Sequence, residues 1–282
     1  MPDVRASHNQ PPGGRMTQNG LFPVSRDRHQ ARYWQRFTSY GFARELSECP
    51  VIHTELCQIA AAFPIMFRKT RSGIRPFAVF SLTAGPVPFV STQGRWLASY
   101  VPSILRCYPF SAEPLTDTPP NTNQPFRLLV DEASGLVTDD IRDEPFFTTD
   151  GTLTPDLCAV CAFFQSHTTA NAATRRMCDI IDKMDLFKPL LHHDGIDLEP
   201  EWLGIDFARM EALSQPHKLL LMNNNALGLI HAHQVSLSHC AWVFKAQQKQ
   251  LHRSPDAESP ELNGFLCAMA SAQQLEGIHA DY

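Results

Sequence analysis

The chain has 282 residues, 43% of them hydrophobic and 19% charged, enough apolar content for a substantial core in one or two domains. A net charge of -5 and an isoelectric point near 6.2 exclude the basic face of nucleic-acid-binding proteins. No apolar run is long enough to span a bilayer and the first twenty residues hold no signal-peptide core, so a soluble protein resident in the cytoplasm is expected.

Residues 1–32 read as a flexible polar tail, Pro11-Pro12-Gly13-Gly14 leading into an Arg-rich run with nothing to pack; Met16 inside it is an alternative start. Order is expected from Tyr33-Trp34, with Phe37, Tyr40 and Phe42 as aromatic plugs closing one end of the core. Residues 55–62 suit a short helix, and Pro64 then opens a strand over 65–68. Further strands are expected over 77–82 and 87–91. These runs are short, closely spaced and bounded by Gly or Pro, which favours antiparallel pairing.

The next stretch, 94–110, packs four aromatics, two prolines and two arginines between an apolar run and a Pro-rich loop. Trp96 to Tyr100 should lead into a helix of one or two turns with Pro102 in its first turn, and Tyr108-Pro109-Phe110 should be extended. After the Pro/Thr/Asn-dense loop 111–125, residues 126–132 form a buried strand ending in Asp131-Glu132, with Ser134-Gly135 as the turn.

The helical half opens at Thr154, an N-cap before Pro155, with one helix to about residue 165 and another over 169–184. Residues 186–191 return extended, His192-His193-Asp194-Gly195 turns the chain, and a short helix covers 206–213. A helix over 215–225 should bury Leu219, Leu220 and Met222. Residues 227–244 alternate first and then take helical spacing, so a strand passing into a helix is expected. Arg253-Ser254-Pro255 and Ser259-Pro260 mark 253–282 as a linker and loose helix. The fold class expected is α+β: a mixed, largely antiparallel sheet packed with several helices, one domain over 33–252, and flexible tails at both ends.

The order Trp96, three residues, Tyr100-Val101-Pro102, three residues, Arg106, one residue, Tyr108-Pro109-Phe110 resembles the signature of the bacterial SapC family, named from surface-layer-associated proteins. The resemblance spans about 63–244 and is also carried by Leu128-Leu129-Val130-Asp131-Glu132 with Ser134, by 146–151, by Leu203-Gly204-Ile205-Asp206, and by 230–237. Cys107 and the long tails depart from it. The resemblance implies a soluble bacterial protein linked by name to the surface layer, with family members often associated with outer-membrane uptake receptors and flavin-dependent halogenases. It implies a pathway and supplies no reaction.

Four groups of residues carry candidate chemistry. Arg106 with Asp131 and Glu132 reads as a buried ion pair anchoring the central helix, or as a guanidinium fork for a carboxylate ligand. Trp96, Tyr100, Tyr108 and Phe110 read as core packing, or as the lining of a pocket for a planar ligand. His231 and His233 would project to one side of a strand, as two imidazoles sharing an ion must, with His192-His193-Asp194 adding a further ligand; on a helix they would point about 200° apart. No acid–His motif accompanies them, so satisfied or exposed histidines and no metal are expected. Cys158 and Cys161 have a redox-like spacing but sit inside a helix among apolar residues, and the eight cysteines read as thiols in a reducing compartment.

No nucleophile elbow, phosphate-binding Gly loop or dinucleotide fingerprint is present, so no cofactor is expected. Two functions fit. One is an accessory or binding protein without defined catalysis, presenting Trp96, Tyr100, Arg106, Tyr108, Asp131 and Glu132 to a peptide or protein partner. The other is a cytosolic enzyme acting on a small or peptidic substrate between the central stretch and a His231/His233 strand.

Overall fold

The computed structural model describes residues 20–115 and 126–251; the N-terminal part of the expected tail, most of the Pro-rich loop and the C-terminal linker lie outside them. The chain begins with β1 (Leu21–Pro23), α1 (Arg26–His29), β2 (Tyr33–Trp34), β3 (Glu48–Pro50), α2 (Leu56–Ala60), β4 (Ile65–Thr70) and β5 (Gly73–Val79). The middle holds β6 (Phe110–Pro114), β7 (Phe126–Asp131), β8 (Val137–Thr138), β9 (Glu144–Pro145) and α3 (Pro155–Lys183). It closes with β10 (Phe187–Pro189), β11 (His192–His193), β12 (Ile196–Asp197), β13 (Trp202–Ile205), α4 (Phe207–Glu211), α5 (Gln215–Asn223), α6 (Ala226–Ser236) and α7 (His239–Leu251). The class is α+β, as the composition and spacing imply.

The largest sheet runs β10-β13-β4-β5-β3, beside two three-stranded sheets, β1-β7-β6 and β8-β2-β9, and the β11-β12 hairpin. Every described pairing is antiparallel. The β4-β5 pair keeps one register from Ile65 opposite Ala78 to Thr70 opposite Gly73. Most of β4 and β5 is buried, as a sheet covered by helices requires.

Residues 20–32 belong to the fold, contrary to the tail expected from composition. Leu21, Phe22 and Pro23 pair with Asp131, Val130 and Leu129, and His29 is fully buried. Besides this pairing and the packing of Val24 on the β7 core, the Arg-rich run is tied down at one acid: Arg28, His29 and Arg32 all converge on Glu132. Composition reports segment polarity and is blind to such a partner a hundred residues away.

The two helices expected around residue 167 are one helix of 29 residues, because nothing between Asp156 and Lys183 is a Gly or Pro and a polar interval alone does not interrupt the backbone ladder. Its length, about 44 Å at 1.5 Å per residue, joins two cores. Leu157 and Phe164 pack with Phe110, Leu128 and Phe146, whereas Met177, Cys178 and Ile181 pack with Phe67, Leu229 and Ile230. Thr154 stands at the N-cap position, but its hydroxyl donates to the Pro145 carbonyl at 3.2 Å and leaves the helix amides alone.

Three other expectations are corrected. Residues 87–91 contribute a single bridge, Val90 to Trp96, in place of a strand. On α5 the buried residue is Leu221, while Leu219, Leu220 and Met222 face out, because a short helix packed on α3 and α6 hides only one side of an apolar run. The segment expected to pass from strand to helix is instead two helices, α6 and α7, joined by a turn at Leu237-Ser238: Leu229, Ile230, His233 and Ser236 are buried at helical spacing on α6, and this face outweighs the alternation.

His233 explains how α6 meets the large sheet. Leu203 stands opposite Phe67, so continuing the register would place Ile205 opposite Ile65. There the His233 imidazole takes the place of the ladder bond. Its Nδ1 lies 2.6 Å from the Ile65 carbonyl, and its Nε2 accepts from the Ile205 N–H at 3.4 Å. The proton therefore sits on Nδ1. Ser236, one turn on, accepts from the Ile65 N–H at 2.9 Å, so α6 satisfies both backbone groups of that residue. Burial pushes the His233 pKa down to about 4, since a charged ring has no water there.

His233→Phe keeps a ring but leaves the Ile65 carbonyl and the Ile205 N–H without partners, a cost on the order of 3 kcal/mol in denaturant unfolding. A second readout is pH. The folded pKa lies below the unfolded value, so His233 contributes stability that is full above about pH 6.5 and is lost as pH falls toward 4. His29, His167 and His239 shift in the same direction, so the wild-type slope over this window should flatten only in part in the variant. Equal slopes would show that His233 is not held neutral.

Candidate functional site

The central stretch lies on the seam between two cores. Trp96, Tyr100 and Leu105 pack with the large-sheet core, Phe110 packs with the β7 core, and Ile104 touches both. Its entry is fixed at Gly94, where the Tyr40 N–H donates to the Gly94 carbonyl at 2.7 Å. Gly94 has φ +78°, and a Cβ there would lie 1.8 Å from Ser39 Oγ, so a residue with a side chain would push the two segments apart.

From there the chain is held by hydrogen bonds to one carboxylate. Trp96 Nε1 donates to the Tyr100 carbonyl at 2.8 Å, which folds the stretch back on itself. The Tyr100 hydroxyl donates to Glu55 Oε2 at 2.7 Å and the Ser103 N–H donates to the same oxygen at 2.8 Å, while the Ser103 hydroxyl donates to Oε1. Glu55, just ahead of α2, is buried, and these three donors offset the cost of taking its charge out of water. A short 3-10 helix, Ser103–Cys107, follows directly, with Pro102 just ahead of it rather than inside it. Burial, and then the Glu55 bond, raises the Tyr100 pKa well above its ordinary value.

This helix turns Arg106 outward, where it is exposed and its guanidinium carbon lies 5.9 Å from the Tyr100 ring centre. The ion pair of Arg106 with Asp131 or Glu132 is therefore corrected. A hydrated guanidinium needs no carboxylate, and both acids have other partners. Glu132 accepts from Arg28 Nε at 2.5 Å and Nη2 at 3.0 Å, and it lies 3.2 Å from His29 Nε2 and 3.6 Å from Arg32 Nη1. The Arg28 hydrogen bond is the first cause holding its carboxyl below the usual range. Asp131 accepts from the Ala133 N–H at 3.0 Å and from the Tyr108 hydroxyl at 3.3 Å.

Tyr108 is extended, as expected before a proline, and its peptide bond to Pro109 is cis. Its ring stacks on Phe42 at 3.9 Å with 11° between planes. Phe42 in turn lies 5.2 Å from Phe37 and 6.0 Å from Tyr40, and Tyr40 lies 5.5 Å from Trp96. All five rings are half-buried, so the expected aromatic plugs join the central motif in one continuous aromatic surface. Of the aromatics of the motif only Phe110 is fully core, 4% exposed between Trp34 and Phe146. Burial pushes the Tyr108 hydroxyl up to about 12 and the Cys107 thiol to about 11, so neither ionises near neutral pH.

The histidines do not form a ligand set. On α6 His231 is exposed and His233 buried, with both ring nitrogens of His233 bound to backbone; on the β11-β12 hairpin, His192 lies 2.6 Å from Asp197 and His193 3.5 Å from Asp194. Among the described residues no group of three or more His, Cys, Asp or Glu is placed to hold a metal ion. A pocket walled by a His231/His233 strand does not form, because no such strand exists. Glu55 is the residue that sequence reasoning missed. Its only signal is a lone acid at the start of a short helix, and nothing in the spacing ties it to Tyr100 or Ser103.

A family model described as SapC matches residues 24–242, a span that takes in α1 and ends within α7. No curated protein and no solved structure matches the chain.

In a double-mutant cycle, Tyr100→Phe and Glu55→Gln should couple by about 1–2 kcal/mol, because each removes one end of a buried charge-assisted bond. Arg106→Met should cost well under about 1 kcal/mol, as for an exposed side chain. Zero coupling in chemical unfolding would show that Glu55 does not hold the central stretch.

Proposed function

Given that the chain belongs to the SapC family, we propose that it is a binding protein that presents the aromatic surface of Phe37, Tyr40, Phe42, Trp96 and Tyr108 to a peptide or protein partner. The observation that carries this reading is the continuity of the five half-exposed rings, with Arg106 over Tyr100 beside them. Tyr, Trp and Arg dominate interface hot spots, since they offer a large apolar area with a polar tip at a modest entropy cost. The surface is braced from behind, with Trp96 in ring contact with Phe63, Phe80 and Phe89 of the core. A preorganised face loses little freedom on binding.

A partner in surface-layer or receptor-linked uptake systems would fit what the family resemblance implies. Among the described residues no helix is long and apolar enough to cross a membrane. None of the seven described cysteines is in a disulfide, which supports work in a reducing compartment such as the cytoplasm. The enzyme reading has less support, since Glu55, Tyr100 and Ser103 are engaged with one another and offer no group to a substrate.

Peptides selected from a random library on the full chain test the reading. Tyr40→Ser with Phe37→Ser should weaken the selected peptides by at least about tenfold, the loss of one hot-spot contact, without lowering the melting temperature by more than a few degrees. Selected peptides that bind the variant as well as the parent would place the partner elsewhere.

A further inference from the structure

A second surface, built from other residues than the aromatic face, lies between the β1-β7-β6 sheet and the start of α3. Here a groove of about 600 Å³ has Phe126, Leu128, Phe147, Leu153 and Cys161 along its apolar walls. Phe126 and Leu128 are buried and Phe147, Leu153 and Cys161 half-buried, so the floor is continuous with the β7 core. A cavity of this size takes a small-molecule ligand. The polar lining is of one sign: Arg26 and Arg127 are exposed on the rim, and none of the described lining residues is acidic.

The two arginines differ in their freedom. Arg127 faces Glu113 at 3.6 Å across a half-exposed pair, which water screens. Arg28 and Arg32 turn to Glu132, but Arg26 has no carboxylate within ion-pair distance among the described residues. Its guanidinium instead lies against Gly151, where a Cβ would come within 2.3 Å of the Arg26 carbon. Gly151 has φ +81° and no side chain, so it seats the guanidinium beside the groove with its charge uncompensated.

We infer that this groove binds a free single-chain carboxylate, its hydrocarbon tail along Phe126, Leu128, Phe147 and Leu153 and its head on Arg26. Two features point to that class. The apolar walls reward a tail by the area they remove from water, and an unpaired guanidinium offers a carboxylate two parallel N–H donors. Arg127 adds positive charge at the same rim, so an uncharged or cationic amphiphile fits less well.

Isothermal titration of the full chain with decanoate, below its micelle concentration, tests the assignment. The expected result is saturable one-to-one binding that Arg26→Gln weakens about tenfold, the value of one hydrogen bond to a charged group. Binding of decanol should be weaker in the parent and unchanged by Arg26→Gln. Cys161→Trp fills the groove and should remove decanoate binding while far-UV circular dichroism is retained. No saturable binding, equal decanoate affinity in Arg26→Gln, or undiminished binding by folded Cys161→Trp would each overturn the proposal. Should Cys161→Trp fail to fold, the exposed Arg26 decides alone. Binding to anionic vesicles without binding of free decanoate would also overturn it, in favour of a membrane surface.

Discussion

Strand β4 has backbone groups at its Ile65 end that no neighbouring strand reaches, and a buried peptide group left unpaired costs more than most packing contacts return. Side chains of α6 meet this demand. His233 and Ser236 bind both the carbonyl and the N–H of Ile65, and His233 relays the ladder to Ile205. The same device recurs along α7. Gln247 accepts from the Leu82 N–H at 2.8 Å and donates to the Thr83 carbonyl at 3.1 Å, and His239 lies 3.1 Å from the Ala60 carbonyl. The helical pair is thereby fixed on the sheet by directional bonds, which set its angle and register where apolar contacts alone would let it slide.

The central stretch solves a different problem, that of joining two cores. Core packing is tolerant of small shifts, so a segment shared between two cores needs a fixed point. Glu55 supplies it. One buried carboxylate takes the Tyr100 hydroxyl and both donors of Ser103, and this fixes the turn that sends Trp96 into one core and Phe110 toward the other. Arg106, the most conspicuous charge of the motif, stands outside this arrangement.

Both proposed surfaces follow from this construction. The aromatic face is the exposed side of the seam, where rings too numerous to bury emerge beside Arg106. The groove is the opposite case, a gap between the β7 sheet and α3 whose rim collects the one arginine of α1 that Glu132 does not engage. A peptide or protein partner for the first and a carboxylate for the second are independent assignments, resting on different residues.

By itself the sequence determined what depends on neighbours along the chain. Short, Gly- and Pro-bounded apolar runs dictate antiparallel strands, as expected at 65–68 and 126–132 and found at Ile65–Thr70 and Phe126–Asp131. The short helix expected from Asp206 forms as α4, and the ordered blocks around Trp96, Asp131 and Ile230 mark the family. Even the aromatic plugs were legible, because Phe37, Tyr40 and Phe42 lie within six residues of one another. Only the tertiary structure decided the partners. Glu132 and Arg106 look like a pair in sequence, yet the carboxylate takes Arg28, His29 and Arg32, from a segment whose composition says tail. The alternation of His231 and His233 reads as a strand, yet burial of His233 against Ile65 and Ile205 makes it a helix. Glu55 carries no mark of its role. The physical reason is common to all three: local pattern encodes which face of an element is apolar, whereas a buried charge or imidazole is decided by whichever donors the folded chain brings within about 3 Å, and these lie tens to hundreds of residues away.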